Sequence, residues 1–471
     1  MRGRRLIAPA AALAARPMPM TQAPFPASPD TAADRCDVLV IGGGPGGSTL
    51  AALLARQGRR VVLLEKARHP RFHIGESLLP ANGPLFDELG VRAQVDAIAM
   101  PKWGIEFVSF QHDFHSLLEF SEAWDKNQPM AWQVRRDVFD EILIRHAAAE
   151  GAEVFEGCQA RKVDFDADGA TVHATRDDGA RRQWRARYVV DASGRDTLLA
   201  QQLGLKQRNP RHNSAAVFGH FTGARRLPGK LEGNISVFWF QHGWFWFIPL
   251  ADGSTSVGAT CWPHYLKSRS KPLKEFFLDT IAMSPVLAER LAGAQLVDDK
   301  VWATGNYCYT ASACSGPRWL MVGDAYAFID PVFSSGVYLA MASAFKAVEV
   351  VEATLDRPAA AAAARRRYAA HMDKGPREFS WFIFRMTNPA MRALFMRPRN
   401  VLRAKEAVLS LLAGDIFGRT PIGPSLRFFK LVYYLSALRD WRTTLAAWRL
   451  RRFNIRDVGA LEGENIAVEG R

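Results

Sequence analysis

The segment Cys36-Asp-Val-Leu-Val-Ile-Gly42-Gly-Gly44-Pro-Gly-Gly47 sets the architecture of the 471-residue chain. Its first half is a short β-branched run, a pattern typical of a buried parallel strand. Its second half satisfies GxGxxG. The Ala- and Leu-rich residues 48–57 predict a helix, and residues 60–64 predict a second strand that ends in Glu65. Together they predict a βαβ unit.

Each residue of this fingerprint has a physical task in binding a dinucleotide. Gly42 allows the tight turn, Gly44 lets the backbone approach a pyrophosphate, and Gly47 lets helix and strand pack closely. The N–H groups at the start of the helix hold phosphates. Glu65 follows Gly47 by 18 positions and can accept hydrogen bonds from a ribose 2′-OH. The sequence therefore predicts one Rossmann-like dinucleotide site.

The composition is that of a folded enzyme with two or three intertwined domains, since 48% of the residues are apolar and 23% are charged. Five cysteines are scattered without a CxxC pair. This spacing argues against a zinc site or a disulfide framework and indicates a reducing cytoplasm. No metal site is predicted.

The N-terminal residues 1–35 contain three arginines followed by an Ala-rich run, which resembles a short signal sequence. Pro9 interrupts that run, and Met18 and Met20 offer alternative starts. We interpret the segment as a disordered extension, or as one that lies upstream of the true translation start. No stretch of 18 uncharged apolar residues is present, so no spanning helix is predicted, and the expected location is cytoplasmic or peripheral to the inner membrane.

The net charge of +14 is concentrated near the C-terminus, where residues 391–453 contain 13 Lys and Arg against 3 Asp and Glu. Aromatic and Leu residues alternate with the arginines in 426–453. Three interpretations remain open: a membrane-surface contact, an acidic protein partner, or a solvated basic face. Nucleic acid is not predicted as a partner, because no recognition motif accompanies the charge.

A separate antiparallel layer is predicted in the middle of the chain. Residues 235–241, 244–250 and 255–260 form a meander with turns at His242-Gly243 and Asp252-Gly253. A strand period of two places Trp244, Trp246 and Ile248 on one face and the intervening phenylalanines on the other. Such a strand is either buried on both faces or provides an aromatic wall between cofactor and substrate.

The segment Trp319-Leu-Met-Val-Gly323-Asp324 resembles the second FAD motif of glutathione-reductase-type and para-hydroxybenzoate-hydroxylase-like flavoproteins. The resemblance implies that Asp324 meets the ribityl chain and that Arg136 lies beside the cofactor. Residues 189–195 match the strand and turn between these motifs. With one complete glycine fingerprint, the single dinucleotide is FAD, and reduced flavin is expected from a separate reductase.

Three further motifs are similar to those of flavin-dependent halogenases. Trp244-Phe-Trp246-Phe-Ile-Pro249 matches WxWxIP, Phe328-Ile-Asp-Pro331-Val-Phe-Ser334-Ser-Gly336 matches FxxPxxSxG, and Gly75-Glu-Ser-Leu-Leu-Pro80 resembles the segment after the first βαβ unit. The resemblance covers about residues 37–370. It implies an enzyme of secondary metabolism that uses reduced flavin, O₂ and chloride or bromide to form hypohalous acid.

The resemblance also assigns roles to individual residues. Lys102 falls at the position of the family's catalytic lysine. That lysine directs hypohalous acid, either as a hydrogen-bond donor or as a transient haloamine. The N–H groups of Ser335 and Gly336 bind halide at a positive helix end, and Gly336 and Val337 also contact the cofactor. Trp244 and Trp246 keep the organic substrate away from the flavin or pack the sheet.

One position departs from the family pattern. Free-tryptophan halogenases carry a glutamate between the Pro and Ser of the halide loop, where this chain has Phe333. The chain therefore looks more like the branch that acts on electron-rich phenols, or on phenolic or pyrrolic acyl groups tethered to a carrier protein. The alternatives are a monooxygenase or dehydrogenase of the same fold and a flavin-bearing accessory protein.

The predicted fold class is α/β, a Rossmann-like FAD-binding fold with an antiparallel β substrate layer and a C-terminal helical region. The predicted segments are the extension 1–35, FAD-binding parts 36–110, 136–210 and 301–372, a β-layer insertion 111–135, the substrate domain 211–300, the basic helical domain 373–455 and the tail 456–471.

Overall fold

The structure of the chain, a computed structural model, describes residues 34–112, 114–209, 212–305 and 308–456. The predicted N-terminal extension, apart from Asp34 and Arg35, and the C-terminal tail beyond residue 456 lie outside these residues. The described residues form 20 strands and 14 α-helices.

The strands are β1 (Asp34–Ile41), β2 (Val61–Glu65), β3 (Met100–Lys102), β4 (Gly104–Ser109), β5 (His115–Glu119), β6 (Ala131–Gln133), β7 (Glu153–Glu156), β8 (Cys158–Phe165), β9 (Ala170–Arg176), β10 (Arg181–Asp191), β11 (Lys206–Arg208), β12 (Ala215–Thr222), β13 (Ile235–Phe240), β14 (Gly243–Pro249), β15 (Thr255–Cys261), β16 (Gln295–Leu296), β17 (Trp302–Thr304), β18 (Tyr309–Ala311), β19 (Trp319–Met321) and β20 (Ala327–Phe328).

The α-helices are α1 (Pro45–Arg56), α2 (Asn82–Leu89), α3 (Arg92–Ile98), α4 (Arg136–Ala149), α5 (Leu198–Gln202), α6 (Pro263–Lys267), α7 (Leu273–Ala282), α8 (Pro285–Arg290), α9 (Gly336–Asp356), α10 (Pro358–Ile383), α11 (Pro389–Met396), α12 (Ala404–Leu412), α13 (Gly423–Arg439) and α14 (Trp441–Arg456).

The first sheet has the order β7-β2-β1-β10-β9-β8, with β19 also paired to β10. Strands β7, β2, β1, β10 and β19 run parallel, so their carboxyl ends meet at one edge. The predicted βαβ unit is confirmed as β1-α1-β2. Helix α1 begins at Pro45, three residues earlier than predicted. Proline is favoured there because first-turn N–H groups have no acceptor within the helix, so its missing N–H costs no hydrogen bond.

The second sheet has the order β16-β12-β15-β14-β13-β4-β5, with β17 paired to β12. The predicted meander is confirmed as β13-β14-β15. Strand β4 pairs in parallel with β13, Phe107 opposite Val237, and therefore lies in this second sheet, although the predicted segmentation placed it with FAD-binding residues 36–110. A strand pairing between segments 130 residues apart has no local signal in the sequence.

The two faces of β14 alternate as predicted. Trp244, Trp246 and Ile248 belong to the large core shared with the FAD-binding sheet. Phe245 and Phe247 belong to a second core under the helices α7 and α8. Strand β14 is thus buried on both faces, which explains its run of aromatic residues, and its tryptophans face the cofactor-binding half.

The C-terminal region is helical, as predicted, but α10 runs without interruption through residue 373, the predicted boundary, and through Pro376. Helices α11 to α14 complete the region. None of the helices in the described part of the chain combines the length and apolar character that crossing a bilayer requires.

A buried ion pair joins the second sheet to its helical cover. Arg290 of α8 donates to both carboxylate oxygens of Glu106 on β4, at 2.8 and 2.9 Å, and to Ser236 Oγ at 2.9 Å. Burial alone would raise the pKa of Glu106, but the hydrogen bonds and charge of Arg290 outweigh it and hold the pKa below its ordinary value. The pair therefore contributes stability at neutral pH that is lost in acid.

We expect Glu106→Gln to lower the free energy of unfolding by about 3–5 kcal/mol, because it leaves the buried guanidinium without its counter-charge. Thermal unfolding at pH 7 measures this loss as a lower Tm. Glu119→Gln is the control, since Glu119 pairs with the exposed Lys230 and should change stability by less than about 1 kcal/mol. Equal Tm shifts for the two variants would contradict the expectation.

Candidate active site

The glycines of the fingerprint adopt the close geometry that their spacing predicts. Gly42 has φ +106°, and a Cβ there would overlap the carbonyl oxygen of Ala192. A Cβ on Gly47 would overlap the carbonyl oxygen of Gly42. These two positions can hold only glycine without moving backbone, which explains how α1 packs directly against β1.

The space in front of α1 fits the pyrophosphate and ribose of FAD. The nearest atom to a Cβ built on Gly44 is Arg71 Nη2, at 3.6 Å, so this backbone is open to a ligand. Glu65 accepts hydrogen bonds from the N–H groups of Gly43 and Ala67 at 2.7 and 2.9 Å. Each carboxylate oxygen keeps acceptor capacity for a ribose hydroxyl. Arg71, which the sequence analysis missed, adds a cation beside this loop.

Asp324 and Arg136 lie near one another at the carboxyl edge of the first sheet. Burial raises the pKa of Asp324 to about 6, and the charges of Arg195 and Arg136 oppose the rise. Arg136 itself donates to both oxygens of Asp140, at 2.8 and 3.0 Å, and to the carbonyl oxygens of Ile74 and Gly75. These hydrogen bonds therefore hold the turn at Gly75 in place beside the carboxyl edge of the first sheet.

Lys102 lies at the end of β3 and is completely buried. Its Nζ donates to Ser77 Oγ at 3.0 Å and to the carbonyl oxygen of Leu78 at 2.9 Å, and it lies 5.3 Å from the ring centroid of Phe120. No carboxylate is among these contacts, and burial lowers the pKa of Lys102 from 10.5 to about 7. Both the ammonium and the free amine are therefore present near neutral pH.

A second buried pair, which the sequence analysis did not single out, adjoins this lysine. Glu76 Oε1 lies 2.6 Å from His220 Nε2, and both residues are buried. The ring of His220 meets Phe72 and Trp302 edge-on. Glu76 precedes Ser77, so one short segment holds Lys102 on one side and the Trp-bearing sheet on the other.

The predicted halide loop turns into the first turn of α9. Ser334 has φ +57°, Ser335 is buried, and Gly336 opens the helix with nothing within 4 Å of its Cβ position. The first N–H groups of a helix have no intrahelical acceptor. The N–H groups of residues 335–337 therefore lack intrahelical acceptors at the positive end of a 21-residue helix, where the Cβ position of Gly336 is open.

A chain of buried polar groups holds this loop from behind. Asp330 accepts from the N–H of Val332 at 3.2 Å and from Ser214 Oγ at 2.7 Å, and its Oδ2 lies 3.1 Å from His212 Nε2. The other ring nitrogen of His212 lies 3.2 Å from Arg451 Nη2. Since a guanidinium only donates, His212 accepts at Nδ1 from Arg451 and donates from Nε2 to Asp330.

The remaining predicted residues lie in the core around the site. Trp244 and Trp246 are 6.0 Å apart between ring centroids, and Trp246 Nε1 donates to Ser256 Oγ at 3.1 Å. Phe333 is buried against Phe379 and Phe382 of α10. Phe333 therefore brings no acid or base to the halide loop.

Strand β12 connects the separate parts of the site. Just before it, His212 and Ser214 hold the predicted halide loop through Asp330. Further along, Phe218 packs against Trp246, and His220 bonds Glu76 beside the lysine segment. That segment also reaches α9, because Asn82 Nδ2 lies 3.8 Å from Met341 Sδ. These contacts thus link the Lys102 segment, the tryptophan face and the predicted halide loop.

Comparison with known proteins is consistent with this arrangement. A family model described as an FAD binding domain matches residues 35–368. The flavin-dependent halogenase armH3 of Armillaria mellea is 36% identical over 345 residues, 68% of each chain.

Two further proteins match over more of the chain. The 1H-pyrrole-2-carbonyl-[peptidyl-carrier protein] chlorinase of Pseudomonas fluorescens is 30% identical over 81% of this chain and 89% of its own. The solved structure of the myxobacterial chondrochloren halogenase CndH is 31% identical, with a TM-score of 0.72, over 86% of this chain and 97% of that one.

Proposed function

The chain belongs to the flavin-dependent halogenases, and we propose that it chlorinates or brominates an electron-rich phenol or pyrrole that a carrier protein delivers. Halogenation, with FAD as the cofactor, is the function that the comparisons favour over a monooxygenase or dehydrogenase. The observation that carries the proposed mechanism is Lys102, a buried amine that donates to Ser77 and Leu78 and has no carboxylate of the described residues among its contacts.

When bound, FAD supplies, with O₂ and the halide, the oxidised halogen. The residues of the chain hold the oxidised halogen in place. We assign Gly44 and the start of α1 to the pyrophosphate, Glu65 to the ribose, and Asp324 to the ribityl chain, because each lies at the carboxyl edge of the first sheet where the cofactor-binding loops meet. Arg136 positions the Gly75 turn.

The halide and the hypohalous acid are small, so they have to be held by fixed groups. The backbone N–H groups of Ser335, Gly336 and Val337 form an anion site that needs no cationic side chain. Lys102 then holds the oxidised halogen in one of two ways. As the ammonium it donates a hydrogen bond to hypohalous acid. As the free amine it takes the halogen to form a haloamine, while the hydroxide of the acid leaves as water with an amine proton. A pKa of about 7 is compatible with both roles.

The ring electrons of the substrate form the carbon–halogen bond, and the ring proton is lost. When hypohalous acid is the donor, its hydroxide leaves as water with a proton. When the haloamine is the donor, its nitrogen–halogen bond breaks and the amine of Lys102 is restored with a proton. An electron-rich phenol or pyrrole favours this step without a carboxylate base. Phe333 at the glutamate position of free-tryptophan halogenases supports such a substrate. The Pseudomonas relative, named for a pyrrolyl group on a peptidyl carrier protein, supports tethered delivery.

Two further parts of the proposal concern supply and location. A separate reductase provides reduced flavin, because the sequence contains one complete glycine fingerprint. The enzyme works in the cytoplasm, which the five free and buried thiols support.

A substrate comparison tests the proposal. With reduced FAD, O₂ and bromide, we expect a phenolic or pyrrolic acyl group on a carrier protein to be brominated with kcat/KM at least about 100-fold above that of free tryptophan. Mass spectrometry of intact carrier protein and of free products measures both rates. Assays with the corresponding free acids show whether tethering is required, separately from the preference for the type of ring. Efficient bromination of free tryptophan would overturn the substrate assignment.

A further inference from the structure

We propose that the outer faces of α13 and α14 form a docking surface for an anionic lipid bilayer. We call it the α13–α14 face and define it by the exposed apolar residues Leu431, Tyr434, Leu435, Leu438, Trp441, Leu445 and Trp448. The enzyme would attach through this face while its FAD-binding half stays in water. The proposal concerns binding alone and does not rest on the substrate.

The exposed residues of α13 follow the helical period on the side away from the protein body. Leu431, Leu435 and Leu438 lie at i, i+4 and i+7, and Leu438 is 70% exposed. Leu426 and Tyr433, on the opposite side, are buried. Helix α13 therefore has one apolar face packed on the protein and a second apolar stripe, Leu431, Leu435 and Leu438, that is more than half exposed. The hydroxyl of Tyr434, at the edge of this stripe, accepts from Trp381 and Arg385.

Helix α14 continues the same surface. Trp441, Leu445 and Trp448 are exposed at i, i+4 and i+7, whereas Arg451 and Asn454 are buried. The helices are joined by Asp440 alone, so Leu438 and Trp441 lie on either side of one residue. The apolar stripes meet at this connection, and Arg451, bonded to His212, anchors α14 to the body.

The charges around the face are almost all positive. Residues 423–456 contain eight Lys and Arg and one acidic residue, Asp440. Exposed arginines flank the apolar stripes, at positions 427, 439, 442, 449 and 452. Arginine heads can reach lipid phosphates while their stems and the Trp and Tyr rings lie at the headgroup level. A basic amphipathic helix pair of this kind suits the interfacial plane of a bilayer.

The same features disfavour two protein occupants. A second copy would bring an equally basic face against this one, and like charges would oppose the contact. An acidic protein would neutralise the arginines, but it would leave the row of exposed Leu and Trp side chains without an apolar layer to enter. A bilayer provides an anionic surface and an apolar layer together.

Vesicle flotation with the full chain tests the proposal. We expect the protein to float with vesicles of phosphatidylglycerol and phosphatidylcholine and to remain unbound with phosphatidylcholine alone. Leu438→Ser/Trp441→Ser should lower the bound fraction about tenfold, because it removes apolar area at the centre of the face. The matched control is Val138→Ser/Leu278→Ser, which removes two exposed apolar side chains from α4 and α7 and should float like the wild type.

Any one of the following four results would overturn the proposal. Wild type that stays unbound with anionic vesicles excludes lipid docking. Flotation of Leu438→Ser/Trp441→Ser at the wild-type level would show that lipid binds elsewhere. A wild-type dimer that this variant converts to monomer, measured by sedimentation, would assign the face to a second copy. Capture of an acidic carrier protein through the face, without flotation, would assign it to that partner. Circular dichroism of the variants checks that α13 and α14 remain folded.

Discussion

Lys102→Met is expected to lower kcat for halogenation about a thousandfold or more while FAD binding and the fold are retained. Methionine has a similar volume and no polar group, so it fills the buried space beside Phe120 and leaves Ser77 Oγ and the Leu78 carbonyl without their donor. The variant can still be loaded with FAD, because Lys102 makes no contact with the glycine fingerprint. Flavin absorbance, thermal unfolding and bromination of an activated phenol measure the three properties.

The pH dependence of stability provides a second test of the buried Lys102, and its direction can be predicted. Burial lowers the pKa of Lys102 to about 7 in the folded protein, against 10.5 for an ordinary lysine. Below pH 7 both folded and unfolded chains carry the proton, so the cost of the buried charge is present in full. Between pH 7 and 10.5 the unfolded chain binds more protons, and wild-type stability rises with pH. Lys102→Met should therefore be most stabilised, relative to wild type, at or below pH 7.

The pH dependence of kcat separates the two roles of the lysine. If the ammonium donates a hydrogen bond to hypohalous acid, kcat falls as pH rises through about 7. If the free amine forms a haloamine, kcat rises through the same range. Lys230→Met, which changes an exposed lysine, should leave the profile unaltered. Wild-type rates of bromination by Lys102→Met would contradict any catalytic role.

Local pattern accounts for the parts of this fold that were predicted. The fingerprint at Gly42, the second strand at Glu65 and the meander of β13 to β15 depend on strand period, turn residues and glycine geometry, all of which lie within short segments. The alternation of Trp244 and Phe245 between two cores follows from the strand period alone. The parts that were missed depend on pairs of residues far apart in sequence.

Three contacts of the site illustrate this limit. His220 bonds Glu76 across 144 positions, His212 bonds Asp330 across 118, and Arg451 reaches His212 across 239. Glu76 lies inside a segment whose family resemblance was noted, so its position gave some signal. Nothing near His212 or Arg451 distinguishes them from other basic residues in a chain with a net charge of +14.

Asp330→Ala is expected to raise the KM for bromide about 100-fold, the loss that follows when a preorganised set of donors is no longer held in place. The substitution removes the acceptor for the Val332 N–H, Ser214 Oγ and His212 Nε2. Three buried donors then lack a partner, at a cost of about 1–3 kcal/mol each, and the loop before Ser335 can rearrange to satisfy them. Halide-dependent initial rates measure the KM.

Ser214→Ala and Arg451→Met distinguish a positioning role from a general loss of stability. Ser214→Ala removes one of the three bonds to Asp330 and should raise the bromide KM only a fewfold. Arg451→Met frees Nδ1 of His212, which is one contact further from Asp330, so its effect on KM should not exceed that of Ser214→Ala. Arg451→Lys should partly restore the wild-type value. FAD affinity should stay unchanged in all four variants, because their contacts lie behind the predicted halide loop and away from Gly42 and Glu65. If Asp330→Ala lowers Tm and FAD affinity together but leaves the bromide KM at its wild-type value, Asp330 stabilises the fold and does not position the halide donors.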